Sequence, residues 1–184
     1  MDDISQVLKI VCDFFNKNDM KYVVVGGIAV MYHGVPRTTV DIDFIIDLND
    51  EEITQFVSFM QSENFEVALD DALDSMREKT HIIVFVGDGL LRLDLQGVIS
   101  DFDRKTLNRS IFVSHLGTSL NLGSVEDTLI NKILFQGEQD LRYALGIITR
   151  NREMLDFEYV EEMCMKLGIH KEWKIFKDTH SGVY

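Results

Sequence analysis

The chain has 184 residues, of which 46% are hydrophobic and 10% aromatic, enough apolar material for one compact domain with a helical extension. Its formal net charge of −13 argues against a nucleic-acid partner, because such partners are bound mainly through Lys and Arg. The charges are unevenly spread, with eleven acidic residues and no Lys or Arg in 38–76 but near balance in 126–153. An acidic surplus is typical of a solvated face, and the total charge does not exclude an RNA partner.

The N-terminal sequence MDDISQVLKI is acidic and begins an amphipathic pattern, so no signal peptide is predicted. No apolar run reaches the roughly 18 residues that a membrane span needs. We therefore expect a cytoplasmic protein with no membrane partner. Cys12 and Cys164 lie in apolar helical patterns without CxxC spacing, which predicts reduced core thiols.

Hydrophobic periodicity and turn residues predict the secondary structure along the chain. In order, the predicted elements are a helix from Ile4 to near 16–19, a strand over 21–25, a short helix over 28–32, a strand over 39–46, a helix over 50–61, a weak strand over 65–69, a hairpin of 81–86 and 90–96 across Gly87-Asp88-Gly89, one or two strands in 110–122, and helices from Ser124, near 139–148, over 157–167 and over 171–176. These elements predict an α+β fold, a small mixed β-sheet flanked by helices. We expect residues 1–123 to form this core and residues 124–184 to form a helical part packed on it.

Candidate site residues cluster where the first predicted strand ends and the second begins. Asp41 and Asp43 are spaced i, i+2 on a strand, so their carboxylates point to the same face. Gly26 and Gly27 end the preceding strand and would let the backbone approach a phosphate closely, with the short helix behind them. This combination predicts a site for a metal-bound nucleoside triphosphate. The alternatives are a solvated strand face for the acids and tight strand-to-helix packing for the glycines.

The segments VVGGIAVMYHG, RTTVDIDF, LRLDLQG and SVEDTLINKILFQGEQDLRYA together resemble nucleotidyltransferases of the DNA polymerase β superfamily. The closest resemblance is to minimal bacterial enzymes of the abortive-infection toxin type. It covers residues 21–148 and implies the polymerase β-like nucleotidyltransferase fold. The last segment departs from the family pattern, since Gln139 stands where a basic residue often precedes the downstream Asp.

The resemblance implies a role for each matching residue. Asp94 would lie on a strand beside Asp41 and Asp43, and the three would be the catalytic residues and the ligands of two Mg²⁺ or Mn²⁺ ions. Asp94 is also the candidate base for an acceptor hydroxyl, although a solvated hairpin residue is the alternative. The implied nucleotide-binding residues are Gly26, Gly27, Arg37, Thr38, Lys132 and Asp140. Lys132 has the alternative of an ordinary exposed helix cation.

The activity implied by the resemblance is transfer of a nucleoside monophosphate from an NTP to a hydroxyl acceptor with release of pyrophosphate. A tRNA 3′ end, a protein side chain and a small molecule such as an aminoglycoside are all compatible acceptors, and the toxin-like resemblance favours RNA or protein. By analogy we expect a cognate toxin or antitoxin partner. The alternative is a non-catalytic nucleotide-binding antitoxin or regulatory module. The five histidines, among them His81, show no ligand spacing, so we predict no zinc site and assign them to the surface or the core.

Overall fold

A computed structural model describes residues 3–87, 90–180 and 182. Among them the helices and strands are α1 Ile4–Lys17, β1 Tyr22–Val24, α2 Gly26–Tyr32, β2 Asp41–Ile46, α3 Asp50–Ser62, β3 Phe65–Glu66, α4 Leu69–Arg77, β4 His81–Val86, β5 Arg92–Gly97, α5 Asp101–Asn108, β6 Ile111–His115, β7 Thr118–Leu122, α6 Val125–Phe135, α7 Glu138–Asn151, α8 Phe157–Lys166 and α9 His170–Thr179. No helix of this described part is both long and apolar enough to cross a bilayer.

The strands form one mixed sheet in the order β3-β4-β5-β2-β1-β7-β6. The β2–β5 and β1–β7 pairs are parallel, and the other neighbouring pairs are antiparallel. The predicted α+β architecture, a mixed sheet flanked by helices, is confirmed. The predicted β4–β5 hairpin is also present, while residues 88 and 89 of its turn lie outside the described residues.

Two of the helices, α4 and α5, are absent from the sequence prediction. Both are short and mostly polar, and Ala72 is the buried residue of α4. The start of α5 is fixed by a capping box, in which the Ser100 hydroxyl and the Asp103 carboxylate each accept a hydrogen bond from the other residue's backbone N–H. A helical signal is present in α4, where the apolar residues recur at i, i+3, i+4 and i+7, namely Leu69, Ala72, Leu73 and Met76. The sequence prediction missed this signal in a segment that is short and mostly polar.

The chain forms two compact units, one of Met1–Ile28 with Thr38–Gly123 and the other of Ala29–Arg37 with Ser124–Tyr184. In the first unit, one face of the sheet packs on α1 and α3 through stacked aromatic rings. The Phe15 ring centroid lies 4.9 Å from that of Tyr22 and 5.2 Å from that of Phe56, and Phe44 of β2 meets the Phe15 ring edge-on at 5.8 Å. These rings are almost fully buried, so this face is the core of the unit.

The opposite face of the sheet is covered only in part. Ile45 of β2 and Val23 of β1 pack there against Leu107 of α5. Residues 41 and 43 share this face with Ile45, because side chains alternate along β2, and both are only partly buried. The fold therefore leaves the Asp41 and Asp43 end of this face accessible while α5 covers the Ile45 end.

The second unit holds the loop 33–37 against α7. The Asn151 side chain donates a hydrogen bond to the His33 carbonyl oxygen at 2.8 Å. A Cβ on Gly146 would lie 2.6 Å from the Val35 side chain, so α7 accepts Val35 only because residue 146 is glycine. The guanidinium carbon of Arg37 lies 5.0 Å from the Tyr143 ring centroid. Contacts with α7 therefore determine the conformation of this loop.

The aromatic cluster should dominate the stability of the first unit. We expect Phe15→Ala to lower the free energy of unfolding by about 3–5 kcal/mol, since it removes a fully buried ring and leaves a cavity. Phe112→Ala is the matched control, because the Phe112 side chain is 68% exposed, and it should change stability by less than about 0.5 kcal/mol. Urea unfolding measures both, and equal losses would contradict this assignment of the core.

Both cysteines should be inert in the native protein. Burial raises the pKa of the Cys12 and Cys164 thiols to about 12, because the thiolate loses its hydration. At mildly alkaline pH we expect no reaction with Ellman's reagent under native conditions and reaction of both thiols in denaturing urea. Rapid native labelling of either thiol would contradict the burial.

Candidate active site

Three carboxylates lie on one face of two neighbouring parallel strands. In the β2–β5 register Asp43 is opposite Asp94, and Asp41 is opposite Arg92. Opposed residues of paired strands share a face, and neighbouring strands lie about 4.8 Å apart. The predicted position of Asp94 beside Asp43 is therefore confirmed, although the register alone assigns no role to either residue.

Two exposed apolar side chains lie on β4, on the side of Asp94 away from β2. In the antiparallel β4–β5 pair Ile83 is opposite Asp94, and Phe85 is opposite Arg92. Ile83 and Phe85 are 42% and 49% exposed, so this part of the face is open among the described residues. The acids thus have the glycines of α2 on the β1 side and two exposed apolar side chains on the β4 side.

Each of the three carboxylates has a partner. The Thr39 hydroxyl donates a hydrogen bond to Oδ1 of Asp41 at 2.5 Å, and Nη2 of Arg92 lies 3.7 Å from Oδ2 of Asp41. Oδ1 of Asp94 is hydrogen-bonded to Nδ1 of His81. The backbone N–H of Gly27 donates to Oδ2 of Asp43 at 3.4 Å. Local donors therefore offset part of the negative charge on this face.

The glycine pair belongs to α2, which begins at Gly26 rather than after the glycines as predicted. Gly26 has φ +56°, and a Cβ at this position would lie 1.8 Å from Oδ2 and 2.9 Å from Cβ of Asp43. The strand-to-helix turn thus approaches the Asp43 side chain so closely that only glycine fits. This contact explains Gly26 by packing, and a role in phosphate binding stays a prediction.

The predicted nucleotide-binding residues outside this face lie in two places. Arg37 packs over Tyr143 in the second unit, and Thr38 is exposed in the loop that leads into β2. Lys132 of α6 donates from Nζ to Oδ1 of Asp140 at 2.8 Å, and the Lys132 side chain is 11% exposed. Lys132 is therefore a mostly buried, paired cation and not the exposed helix cation of the alternative interpretation. Its role in nucleotide binding stays a prediction.

The sequence analysis assigns no role in the site to three residues that contact these acids: Thr39, His81 and Arg92. Thr39 and Arg92 each lie two residues before a candidate acid, a spacing that puts them on the same face of an extended segment. This signal was available in the motifs TTVDID and LRLDL. His81 had no such signal, because its contact with Asp94 depends on the register of β4 against β5, which the hairpin prediction did not specify.

The donor types fit a hard divalent cation, since Asp41, Asp43 and Asp94 offer carboxylate oxygens. Their side chains do not converge, however. Among the residues that the structure describes, no three His, Cys, Asp or Glu side chains form a group that could hold a metal ion. Asp41 and Asp94 instead face Arg92 and His81, so holding an ion requires these carboxylates to reorient or to share an oxygen.

No protein-family model and no curated protein matches this sequence. Solved structures that resemble the chain include an antigenic nucleotidyltransferase-like protein from Paracoccidioides brasiliensis, with a TM-score of 0.55 and 22% identity over 78% of this chain and 74% of that one. ANT(2'')-Ia in complex with adenylyl-2''-tobramycin has a TM-score of 0.59 and 13% identity over 89% and 95%. The chain has the nucleotidyltransferase fold. The lincomycin-bound lincosamide antibiotic adenylyltransferase LnuA is also similar, with a TM-score of 0.50 and 13% identity over 80% and 96%.

These identities are low, so the similarity establishes the nucleotidyltransferase fold alone. The connection with antibiotics belongs to ANT(2'')-Ia and LnuA. The toxin-like subtype stays a prediction. The coverage nonetheless extends over most of this chain, so the fold includes residues of both compact units.

The close approach of Gly26 to Asp43 gives a test of the site's construction. We expect Gly26→Ala to lower the free energy of unfolding by more than Gly117→Ala does. Both substitutions place an L residue at positive φ, which costs about 1–2 kcal/mol, but only Gly26→Ala adds a clash. Gly117 is the matched control, with φ +75° and nothing within 4 Å of an added Cβ. Urea unfolding compares the two variants, and equal losses would show that the Asp43 side chain moves aside without lowering the free energy of unfolding.

Proposed function

We propose that the protein is a metal-dependent nucleotidyltransferase, which transfers a nucleoside monophosphate from an NTP to a hydroxyl acceptor and releases pyrophosphate. The observation that carries this proposal is the acid face itself. Asp43 and Asp94 are opposed on parallel strands, Asp41 precedes Asp43 by two residues on the same face, and the Gly26-Gly27 turn contacts Asp43. Three carboxylates on one partly open face repel each other, and bound cations would offset that repulsion.

In the proposed reaction the acceptor oxygen attacks the α-phosphorus, and the bond from that phosphorus to the α,β-bridging oxygen breaks, so pyrophosphate leaves. Asp41, Asp43 and Asp94 would hold the Mg²⁺ or Mn²⁺ ions, which when bound supply Lewis-acid stabilisation of the charge on the α-phosphate. Asp94 accepts the proton of the acceptor hydroxyl. Its Oδ2 has no hydrogen-bond partner among residues 3–87, 90–180 and 182 and is available for this role.

The remaining residues act on the nucleotide. Backbone N–H groups of Gly26 and Gly27 would meet phosphate oxygens, and Arg37, Thr38 and Lys132 would offer donors to the triphosphate, with Asp140 orienting Lys132 through their hydrogen bond. Arg92 lies opposite Asp41 and adds a cation to the same face. A guanidinium 3.7 Å from its carboxylate is loosely held and can turn toward a phosphate.

The acceptor is proposed only as a class, a hydroxyl of RNA, protein or a small molecule. The toxin-like resemblance favours RNA or protein and a cognate toxin or antitoxin partner. The structures of ANT(2'')-Ia and LnuA hold adenylyl-2''-tobramycin and lincomycin, respectively. The similarity to these proteins supports adding small hydroxylated molecules to the acceptors tested.

A second candidate function is nucleotide binding without turnover, in an antitoxin or regulatory module. The observation that favours it is that Arg92 lies beside Asp41 and His81 is hydrogen-bonded to Asp94. Two of the three carboxylates thus already contact a cationic or donor side chain. Transfer activity separates the two functions directly.

The experiment is label transfer from each of the four α-³²P-labelled NTPs, with Mg²⁺, into total RNA, total protein and a small-molecule extract. We expect label in one pool, and an Asp41→Asn/Asp43→Asn variant should reduce it by at least about 100-fold, because loss of a residue that only orients a metal ligand already costs about 10–100-fold. Asp70→Asn is the control, since Asp70 is an exposed acid in the first turn of α4.

Each outcome identifies one function. Labelling that the double variant abolishes and Asp70→Asn retains supports the transferase and names the acceptor class. NTP binding without label in any pool favours the non-catalytic module. Labelling that survives in the double variant overturns the proposed site.

A further inference from the structure

His81 makes a specific contact with the candidate base. In the β4–β5 register His81 is opposite Gln96 and lies two residues from Ile83, which is opposite Asp94. His81 is thus a diagonal neighbour of Asp94 on the same face, within reach of a long side chain. Its Nδ1 is hydrogen-bonded to Oδ1 of Asp94, and the two side chains are 45% and 23% exposed.

This contact fixes one oxygen of the Asp94 carboxylate. Because a carboxylate is only an acceptor, Nδ1 of His81 must carry the proton and donate it. Among the described residues Asp94 has no other hydrogen-bond partner, so the bond to His81 determines the rotamer of the carboxylate and leaves Oδ2 for another ligand. Asp43 stands opposite Asp94 on β2, and like-charge repulsion would otherwise turn the Asp94 carboxylate away from it.

We propose that His81 is a positioning residue, which holds Asp94 by Oδ1 and so presents Oδ2 to the metal ion and the acceptor hydroxyl. The inference rests on the proposed transferase function. It follows the general arrangement in which a catalytic carboxylate is oriented by a hydrogen bond from a neighbouring side chain. Arg92 of β5 makes no comparable hydrogen bond to Asp41, because its Nη2 lies 3.7 Å from Oδ2 of Asp41.

The alternative interpretation of His81 predicts the opposite change in metal affinity. If His81 merely occupies the place of a cation beside Asp94, its removal frees a ligand and metal affinity rises. If His81 positions Asp94, its removal lets the carboxylate rotate and metal affinity falls. The direction of change in metal affinity therefore separates the two without any need for turnover.

The test uses the full chain and three variants. His81→Ala removes the donor, whereas His81→Asn keeps one, because the Asn amide nitrogen reaches nearly the same place as Nδ1. His170→Ala is the matched control. His170 lies in the second unit, is 43% exposed and has Nδ1 3.5 Å from Oε1 of Glu161, so it too is a half-exposed histidine beside a carboxylate.

The probe is Mn²⁺, added with the α,β-methylene analogue of each of the four NTPs in turn, and free Mn²⁺ is measured by electron paramagnetic resonance. We expect His81→Ala to weaken Mn²⁺ affinity by about 10–100-fold and His81→Asn to recover most of that loss. His170→Ala should match the unmodified protein. In the labelling assay, kcat should fall in His81→Ala with little change in KM for the NTP, because the triphosphate contacts are untouched.

The remaining outcomes overturn the inference. Tighter Mn²⁺ binding in His81→Ala would identify His81 as a competitor for the site, and unchanged affinity and kcat would leave it no role. Equal losses in His81→Ala and His81→Asn would also exclude positioning, since the donor is kept in one of them. Failure of the unmodified protein to bind Mn²⁺ with any analogue would instead remove the proposed transferase function on which the inference rests.

Discussion

The alternation of side chains along β2 is the constraint on which the rest of the site depends. Ile42, Phe44 and Ile46 point into the core formed with α1 and α3, so Asp41 and Asp43 must point the other way. A shift of one residue in the β2–β5 register would bury carboxylates among aromatic rings, at a cost that no local contact offsets. Burial of the aromatic face therefore fixes which face of the sheet carries the acids.

The Gly26 turn adds a second constraint, because it ties α2 to the same carboxylate. The turn leaves no room for a Cβ beside Asp43, and the Gly27 N–H reaches the same Oδ2. Packing and phosphate binding are often offered as competing explanations of such glycines. Here both would use one property, a backbone that approaches a charged group with no side chain between them. A turn packed this closely is rigid, which a site for a highly charged ligand requires.

Local patterns in the sequence predict most of the fold and part of the candidate site. The alternation in VDIDF and the turn in VVGG depend on neighbouring residues, so both could be identified from the chain alone. By contrast, α4 and α5 are short and mostly polar and were missed, although the apolar residues of α4 recur at helical spacing. In addition, α2 begins at the glycines that pattern analysis treats as a break. The contact of His81 with Asp94 depends on strand pairing between residues 13 apart, and no short-range signal reports it.

The acidic composition and the partners of the carboxylates belong to one electrostatic problem. A chain with a formal net charge of −13 that gathers Asp41, Asp43 and Asp94 on one face concentrates repulsion there. Without a bound cation, that repulsion must be offset by donors close at hand, and Thr39, His81, Arg92 and the Gly27 N–H are those donors. His81 and Arg92 are held by the strand pairing that also holds the acids. The face can therefore stay folded in the absence of metal, and binding of an ion would not require the sheet to rearrange.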